Sequence, residues 1–309
     1  MDAVYRRRRI AAGAVLAGVV VLGVLVLRGC GDEQAQSGGG PVEQVERRPE
    51  LPGGGRTILP GHRVVAYYGA PQDRQLGTLG IGTPAEAGRR LLRTAARYER
   101  LDGPTLPAME LIAVIAAAHP GGDGQYRTRQ PDGVIRRYLR AARRIGALLI
   151  LDVQPGRADF LQEARPLRRW LEQPDVSLAL DPEWRVGPHE VPGQVIGSVS
   201  AQEVNAVSYW LDEIVREGDL PQKLLLLHRF TPGMISDERR LKQRDGLAIA
   251  VNIDGFGGRA VKRAKYHELA SGRDALFDGF KLFFEEDTDL LTPRQVLRLR
   301  PPPDVVVYE

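Results

Sequence analysis

The sequence predicts an α/β protein built as a (β/α)₈ barrel, and three observations carry that reading. Eight apolar runs, at about 63–68, 108–115, 147–152, 176–181, 223–228, 247–252, 278–284 and 304–308, alternate with amphipathic segments from His62 onward; eight is the strand number of this barrel. Runs such as Ala147 to Leu151 and Leu224 to Leu227 are continuously apolar, which suits strands of a parallel sheet covered on both faces rather than an antiparallel sandwich. About 247 residues follow His62, close to the roughly 250 typical of the fold. An open doubly wound sheet is the other arrangement that fits.

The chain opens on a different pattern. Arg6 to Arg9 precede an unbroken apolar run from Ile10 to Leu27, and at about 1.5 Å per residue that run nearly crosses a hydrocarbon core of about 30 Å. Residues 1–30 therefore read as a cytoplasmic arginine cluster and a single-pass membrane anchor, with the remainder extracytoplasmic. A cleaved signal peptide and a lipoprotein signal ending at Cys30 are the two other readings. From Gly31 to Gly61 glycine, proline, glutamine and glutamate mix without apolar period, as in Gly38-Gly-Gly-Pro41 and Pro52-Gly-Gly-Gly55. Residues 31–61 are expected to form a disordered tether, and residues 62–309 the barrel domain.

Within the barrel, helix starts are marked by Thr83-Pro-Ala-Glu86, Ser200-Ala-Gln-Glu203 and Thr292-Pro-Arg-Gln295, each with the spacing of a capping box. After Ser200, Val204, Val207, Leu211, Ile214 and Val215 recur at helical spacing, a stripe suited to lying on a sheet. The eighth run reaches Glu309 with no helix after it, so another segment is expected to cover that part of the barrel wall.

Composition narrows the function classes. With 43% hydrophobic and 27% charged residues the chain is an ordinary globular protein. Its net charge of +4 is matched by Arg6 to Arg9 alone, so the rest is near neutral and nucleic acid is not expected as a partner. Cys30 is the only cysteine, which excludes an internal disulfide and a cysteine-based zinc site.

The candidate site lies at the C-terminal ends of the strands, where barrel enzymes collect polar groups. Leu178-Ala-Leu-Asp-Pro-Glu-Trp184 ends an apolar run in two carboxylates; strand alternation puts Asp181 and Glu183 on one face, the pairing that a proton donor and a second carboxylate require. Asp152 ends the preceding run and shares a face with Gln154, while Pro155-Gly156 turns the chain at the rim. A neighbouring carboxylate raises the pKa of an acid beside it. Asp254 ends the sixth run with Asn252 on its side, and Gly255-Phe-Gly-Gly258 follows; that loop lacks the spacing of a dinucleotide fingerprint. His228 closes the fifth run, and Glu110 sits inside the second, where it is expected to face the barrel interior with a partner. Tyr67, Tyr68 and Trp184 offer flat faces to sugar rings, and Glu285 follows the seventh run. Substrate contacts are thus expected from Asp254, His228, Tyr67, Tyr68, Trp184, Asn252, Gln154, Glu110 and Glu285, with Glu183, Asp181 and Asp152 catalytic. A metal held by Asp152, Asp181, His228 and Asp254 is conceivable, but no short ligand motif supports it, so no metal and no cofactor is expected.

Asp181-Pro-Glu183 after the fourth strand resembles the D-x-E that ends strand four in family 18 chitinases and family 25 muramidases, within the glycosidase-type (β/α)₈ superfamily. The resemblance implies a general acid at Glu183 and a substrate-positioning or charge-stabilising role at Asp181. Ser177 and Ala179 stand where chitinases carry upstream aspartates. The whole chain also resembles membrane-anchored actinobacterial proteins of unassigned function, which implies no activity. The expected function is a membrane-tethered, monomeric, glycoside hydrolase-like protein acting on a cell-envelope polysaccharide. A barrel that binds such a glycan without cleaving it and a metal-dependent hydrolase are the alternatives.

Overall fold

The computed structural model describes residues 48–270 and 276–309; the anchor expected at 1–30 lies outside the described residues. No helix among the described residues is long and apolar enough to cross a membrane. The eight apolar runs form eight parallel strands: β1 (Arg63–Gly69), β2 (Thr105–Ala116), β3 (Leu148–Val153), β4 (Val176–Leu180), β5 (Lys223–Arg229), β6 (Leu247–Ile253), β7 (Phe277–Leu282) and β8 (Val305–Tyr308). They pair in chain order, and β1 pairs with both β2 and β8, the latter in register Val64 with Val305 and Tyr67 with Tyr308. The sheet therefore closes, and the open doubly wound alternative is excluded.

Alternation splits the apolar residues into two cores. One parity (Val64, Ala66, Ala108, Ile150, Leu224, Ala250, Val307) fills the barrel, and the other packs beneath the surrounding helices. Leu51, Ile58 and Leu59, placed by composition in the tether, are 4%, 0% and 1% exposed and join the inner core. Ile58 and Leu59 donate their backbone N–H groups to Gln222 Oε1 just before β5, so this segment plugs the barrel at the N-terminal ends of its strands. Its glycine turns, Gly53 to Gly55 at positive φ, hide the three apolar residues from a periodicity reading.

The main helices are α1 (Pro84–Asp102), α2 (Asp132–Arg144), α5 (Ala201–Glu217) and α6 (Arg259–Leu269). Between β3 and β4 the helical segment is broken into α3 (Phe160–Ala164) and α4 (Arg168–Leu171) by a 3-10 turn holding Pro166, as the missing N–H of proline dictates. The Thr83 box caps α1 reciprocally, and the Thr292 box does the same for the short α7 (Pro293–Val296). Ser200 Oγ accepts from Glu203 N, but the Glu203 carboxylate instead accepts from Phe160 N at 2.9 Å and Arg185 Nε at 3.2 Å; tertiary contacts take half of that box. The wall expected to lack a helix is covered by α1, whose Tyr98 hydroxyl meets that of Tyr308 at 2.7 Å.

Two of these features yield predictions. Lys223 is fully buried, and its Nζ donates to the carbonyls of Gln173 and Val176 at 2.8 Å. Burial pulls its pKa down to about 7, so between that value and the usual lysine range the unfolded chain binds a proton that the folded one does not, and stability rises with pH. The melting temperature should increase across that window, and Lys223→Met should flatten the increase. At Gly156 (φ +66), a Cβ would lie 2.1 Å from the Gln125 carbonyl oxygen and 2.8 Å from that of Tyr126. Gly156→Ala should cost about 2–3 kcal/mol from overpacking and backbone strain, measured by urea denaturation.

Candidate functional site

At the C-terminal mouth of the barrel, inward-facing positions of six strands bring polar residues together. Glu110 follows Ala108 on the inner parity of β2, Asp152 ends that of β3, and His228 and Asn252 occupy it near the ends of β5 and β6. Glu110, Asp152 and His228 are at most 1% exposed, and each offers a ligand atom within 4.8 Å of the others. His228 is held at both nitrogens: Nδ1 lies 2.9 Å from Asp254 Oδ2, and Nε2 lies 2.7 Å from Glu110 Oε1. Asn252 Nδ2 donates to the other Asp254 oxygen at 2.7 Å. A Cβ at Gly279 would sit 2.7 Å from Asn252 Oδ1, so glycine is required on β7 to let that amide lie flat against the neighbouring strand.

Lys281, two residues on from Gly279 on the same face, supplies the cation of the site. Its ammonium lies 3.3 Å from Asp254 Oδ2, 2.9 Å from Glu309 Oε2 and 3.7 Å from the centre of the Tyr68 ring, a cation–π contact in a desolvated setting. Tyr68 in turn donates to Asp152 Oδ2 at 3.2 Å and accepts from Gln154 Nε2 at 3.0 Å. Gln154 Oε1 takes the Ala116 N–H at 3.0 Å, tying the ends of β2 and β3. Two carboxylate oxygens in this network, Glu110 Oε2 and Asp152 Oδ1, are buried and find no donor among the described residues. Buried acceptors are ordinarily satisfied.

Six carboxylates (Glu110, Asp152, Asp181, Glu183, Asp254 and Glu309) crowd around two basic groups here, which shifts the pKa values of Asp152, Asp181, Asp254 and His228. Burial, reinforced by Glu110, raises Asp152 to about 7. Burial, then the charges of Glu183 and Asp152, holds Asp181 well above the usual carboxylate range. For His228 burial opposes the charged form, but Asp254 and Glu110 outweigh it and the imidazolium is favoured. Asp254 goes the other way: burial raises its pKa, Lys281 and His228 lower it, and the net is a depressed value.

Asp181 and Glu183 both reach the mouth, though not by strand alternation. β4 ends at Leu180, and Pro182 to Trp184 form a 3-10 turn, so Asp181 is buried behind Glu183, which lines the cleft with Trp184. The cleft walls also include Tyr68, Ile112, Phe256 and Phe283. Glu110, Asp152, Gln154, His228, Asn252 and Asp254 converge as expected, and Tyr68 joins them. Tyr67 does not. Adjacent strand residues face opposite sides, and Tyr67 packs outside the barrel with its hydroxyl 2.8 Å from Thr94 Oγ1 on α1. Glu285 also falls outside the cluster, exposed at the rim and paired with Arg74 at 3.1 Å. The sequence reading missed Lys281 and Glu309. The signal for Lys281 was a lone cation within Phe277-Asp-Gly-Phe-Lys-Leu282, sharing inner parity with Gly279.

No protein-family model matches the chain, and no curated protein matches it. Among solved structures it is similar to 5-methylcytosine deaminase from Klebsiella pneumoniae, crystallised with 5-fluorocytosine, at a TM-score of 0.32 and 11% identity, covering 74% of this chain and 53% of that one. The chain thus spans about half the length of that relative. So distant a likeness says nothing about substrate or reaction.

Proposed function

We propose that the barrel mouth is the active site of a hydrolase that works with a divalent cation held by Glu110, Asp152 and His228. One observation carries the reading: a histidine braced at Nδ1 by Asp254 meets Glu110 at Nε2 and groups with Glu110 and Asp152 so that ligand atoms of all three lie within 4.8 Å, each of these two carboxylates keeping a buried oxygen that lacks a donor. Bracing the far nitrogen of a ligand histidine is the usual second partner of a metal-bound imidazole, and two carboxylates with one imidazole suit zinc or manganese rather than a thiolate-loving metal. A cation bound there supplies a water of lowered pKa. The protein's own residues supply the remainder. Asp254 and Asn252 fix the imidazole, Lys281 provides a fixed positive charge, and Asp181, held protonated, is a proton donor behind Glu183 at the cleft wall.

A second reading has its own support in the pairing of a neutral Asp181 with Glu183 beside Trp184: metal-free acid/base cleavage of an envelope glycan, with Glu183 or Asp181 as the acid. Chelation separates the two. Under the proposal, hydrolysis of test substrates, envelope polysaccharides included, stops with EDTA and returns with Zn²⁺ or Mn²⁺; activity indifferent to EDTA would sink it. Under the proposal Asp181→Asn should lower turnover by roughly 10² to 10⁴, the range of general acid catalysis, with cation binding retained. Glycan binding without turnover in any condition would leave a non-catalytic barrel.

A further inference from the structure

Helices α1 and α2 lie side by side over β1, β2 and β3, and their outward faces carry an unusual charge. Together they hold ten arginines against four acidic residues, and three of those acids are engaged: Glu86 in its capping box, Asp102 with Arg63 and Asp132 with Arg169. On α1, Arg89, Arg93, Arg97 and Arg100 are exposed, and at 100° per residue they fall within one narrow arc opposite buried Leu91, Ala95 and Tyr98. On α2, Arg136, Arg137, Arg140 and Arg144 are likewise exposed opposite Ile135, Tyr138, Leu139 and Ala142. Among the described residues none of these eight is in an ion pair. Two leucines, Leu92 at 38% and Leu101 at 41% exposure, flank the α1 stripe.

Eight guanidinium groups on two adjacent helices, Arg136 also lying over the Trp170 ring at 5.8 Å, match an array of phosphates, each of which takes a bidentate fork. The exposed leucines decide between kinds of phosphate. A soluble polyanion has nothing to offer them, whereas helices with arginine and leucine side by side lie in the headgroup layer of a bilayer. The apolar run Ile10 to Leu27 has the length of a membrane anchor and lies about 20 residues ahead of Arg48, where the described chain begins, which would keep a bilayer close to this surface. We propose that the outward faces of α1 and α2 dock on an anionic phospholipid bilayer. The docking face is on the side of the barrel, so the mouth opens along the bilayer rather than into it.

The full chain carrying Cys30→Ser and Ala96→Cys, with a fluorophore at position 96 between the α1 arginines, is added to vesicles bearing a lipid-attached quencher. Phosphatidylcholine vesicles are compared with phosphatidylcholine–phosphatidylglycerol vesicles. Strong quenching only on the anionic vesicles, relieved by high salt, is expected. Arg→Gln at the four α1 positions should weaken the anionic preference by about 10²-fold or more, at roughly fivefold per arginine, with an unchanged melting temperature; Arg→Gln at Arg239, Arg240, Arg294 and Arg298 should leave it in place. Equal quenching on both vesicles, or an effect of the control variant as large as that of the α1 variant, overturns the proposal. So does quenching on neither vesicle together with tight binding of soluble polyphosphate, which would assign the face to a polymer. Loss of hydrolysis in the active-site variants leaves this result untouched.

Discussion

One divalent cation is expected to bind per chain, and His228→Ala is expected to abolish that binding together with turnover. Calorimetry with Zn²⁺ or Mn²⁺ on EDTA-treated protein measures the first, and metal-dependent hydrolysis the second. Removing the imidazole takes away the one nitrogen of the proposed cation site, and the remaining pair, Glu110 and Asp152, cannot hold a borderline cation against water. Asp254→Asn should act more mildly. It keeps an acceptor for Nδ1 but loses the charge, and such bracing partners are worth about 10- to 100-fold in affinity. Binding must also expel protons, because His228 is held charged by Asp254 and Glu110, and burial keeps Asp152 protonated up to about pH 7. Affinity should therefore strengthen as pH rises through that value, and the measured enthalpy should vary with the ionisation enthalpy of the buffer. Affinity that is flat with pH would mean that the cation sits elsewhere.

The barrel was legible because its strands repeat one simple signal. Each apolar run forms a strand, and the last residues of β3, β5 and β6 carry Asp152, His228 and the Asn252–Asp254 pair into the mouth as period-two reasoning expects. Glu110 was legible for a related reason: an acid inside an apolar strand has nowhere else to go but the polar centre of a barrel. The failures share a cause too. Tyr67 and Tyr68 were both assigned to the mouth, although alternation permits only one. Asp181 and Glu183 were read as one strand step apart, although Pro182 ends the strand between them and a turn sets their geometry. Leu51, Ile58 and Leu59 lie in glycine-rich chain with no period, so only tertiary packing reveals that they plug the barrel. The three residues of the proposed cation site come from β2, β3 and β5 and have no mutual spacing in sequence, so no short ligand motif marks them. Lys281 was not legible because a lone cation inside an apolar run shows no partner until the ends of β6 and β8 bring Asp254 and Glu309 beside it.

Lys281→Met is the substitution expected to damage the folded state most. The side chain is 4% exposed, and its ammonium pairs with two carboxylates that are themselves buried, Asp254 at 3.3 Å and Glu309 at 2.9 Å. Burial alone would discharge the lysine, but Asp254 and Glu309 more than reverse that and raise its pKa. Methionine fills nearly the same volume, so little is lost in packing against Tyr68 and Phe283. The cost comes instead from the partners: Glu309 loses its ion pair with Lys281 and Asp254 keeps only His228 and Asn252, and removing one side of a buried pair typically costs 3–5 kcal/mol. Such a loss should lower the melting temperature of a domain this size by roughly 10 °C, at about 2–4 °C per kcal/mol. If uncompensated charge is the cause, then adding Glu309→Gln to Lys281→Met should restore part of the stability, because an amide in that position costs less to bury than a carboxylate without a cation. A double variant no more stable than the single one would instead assign the loss to the cation–π contact with Tyr68, whose hydroxyl holds Asp152. In that case Tyr68→Phe in the Lys281→Met background would change stability little, while Tyr68→Leu in the wild-type background would reproduce most of the loss.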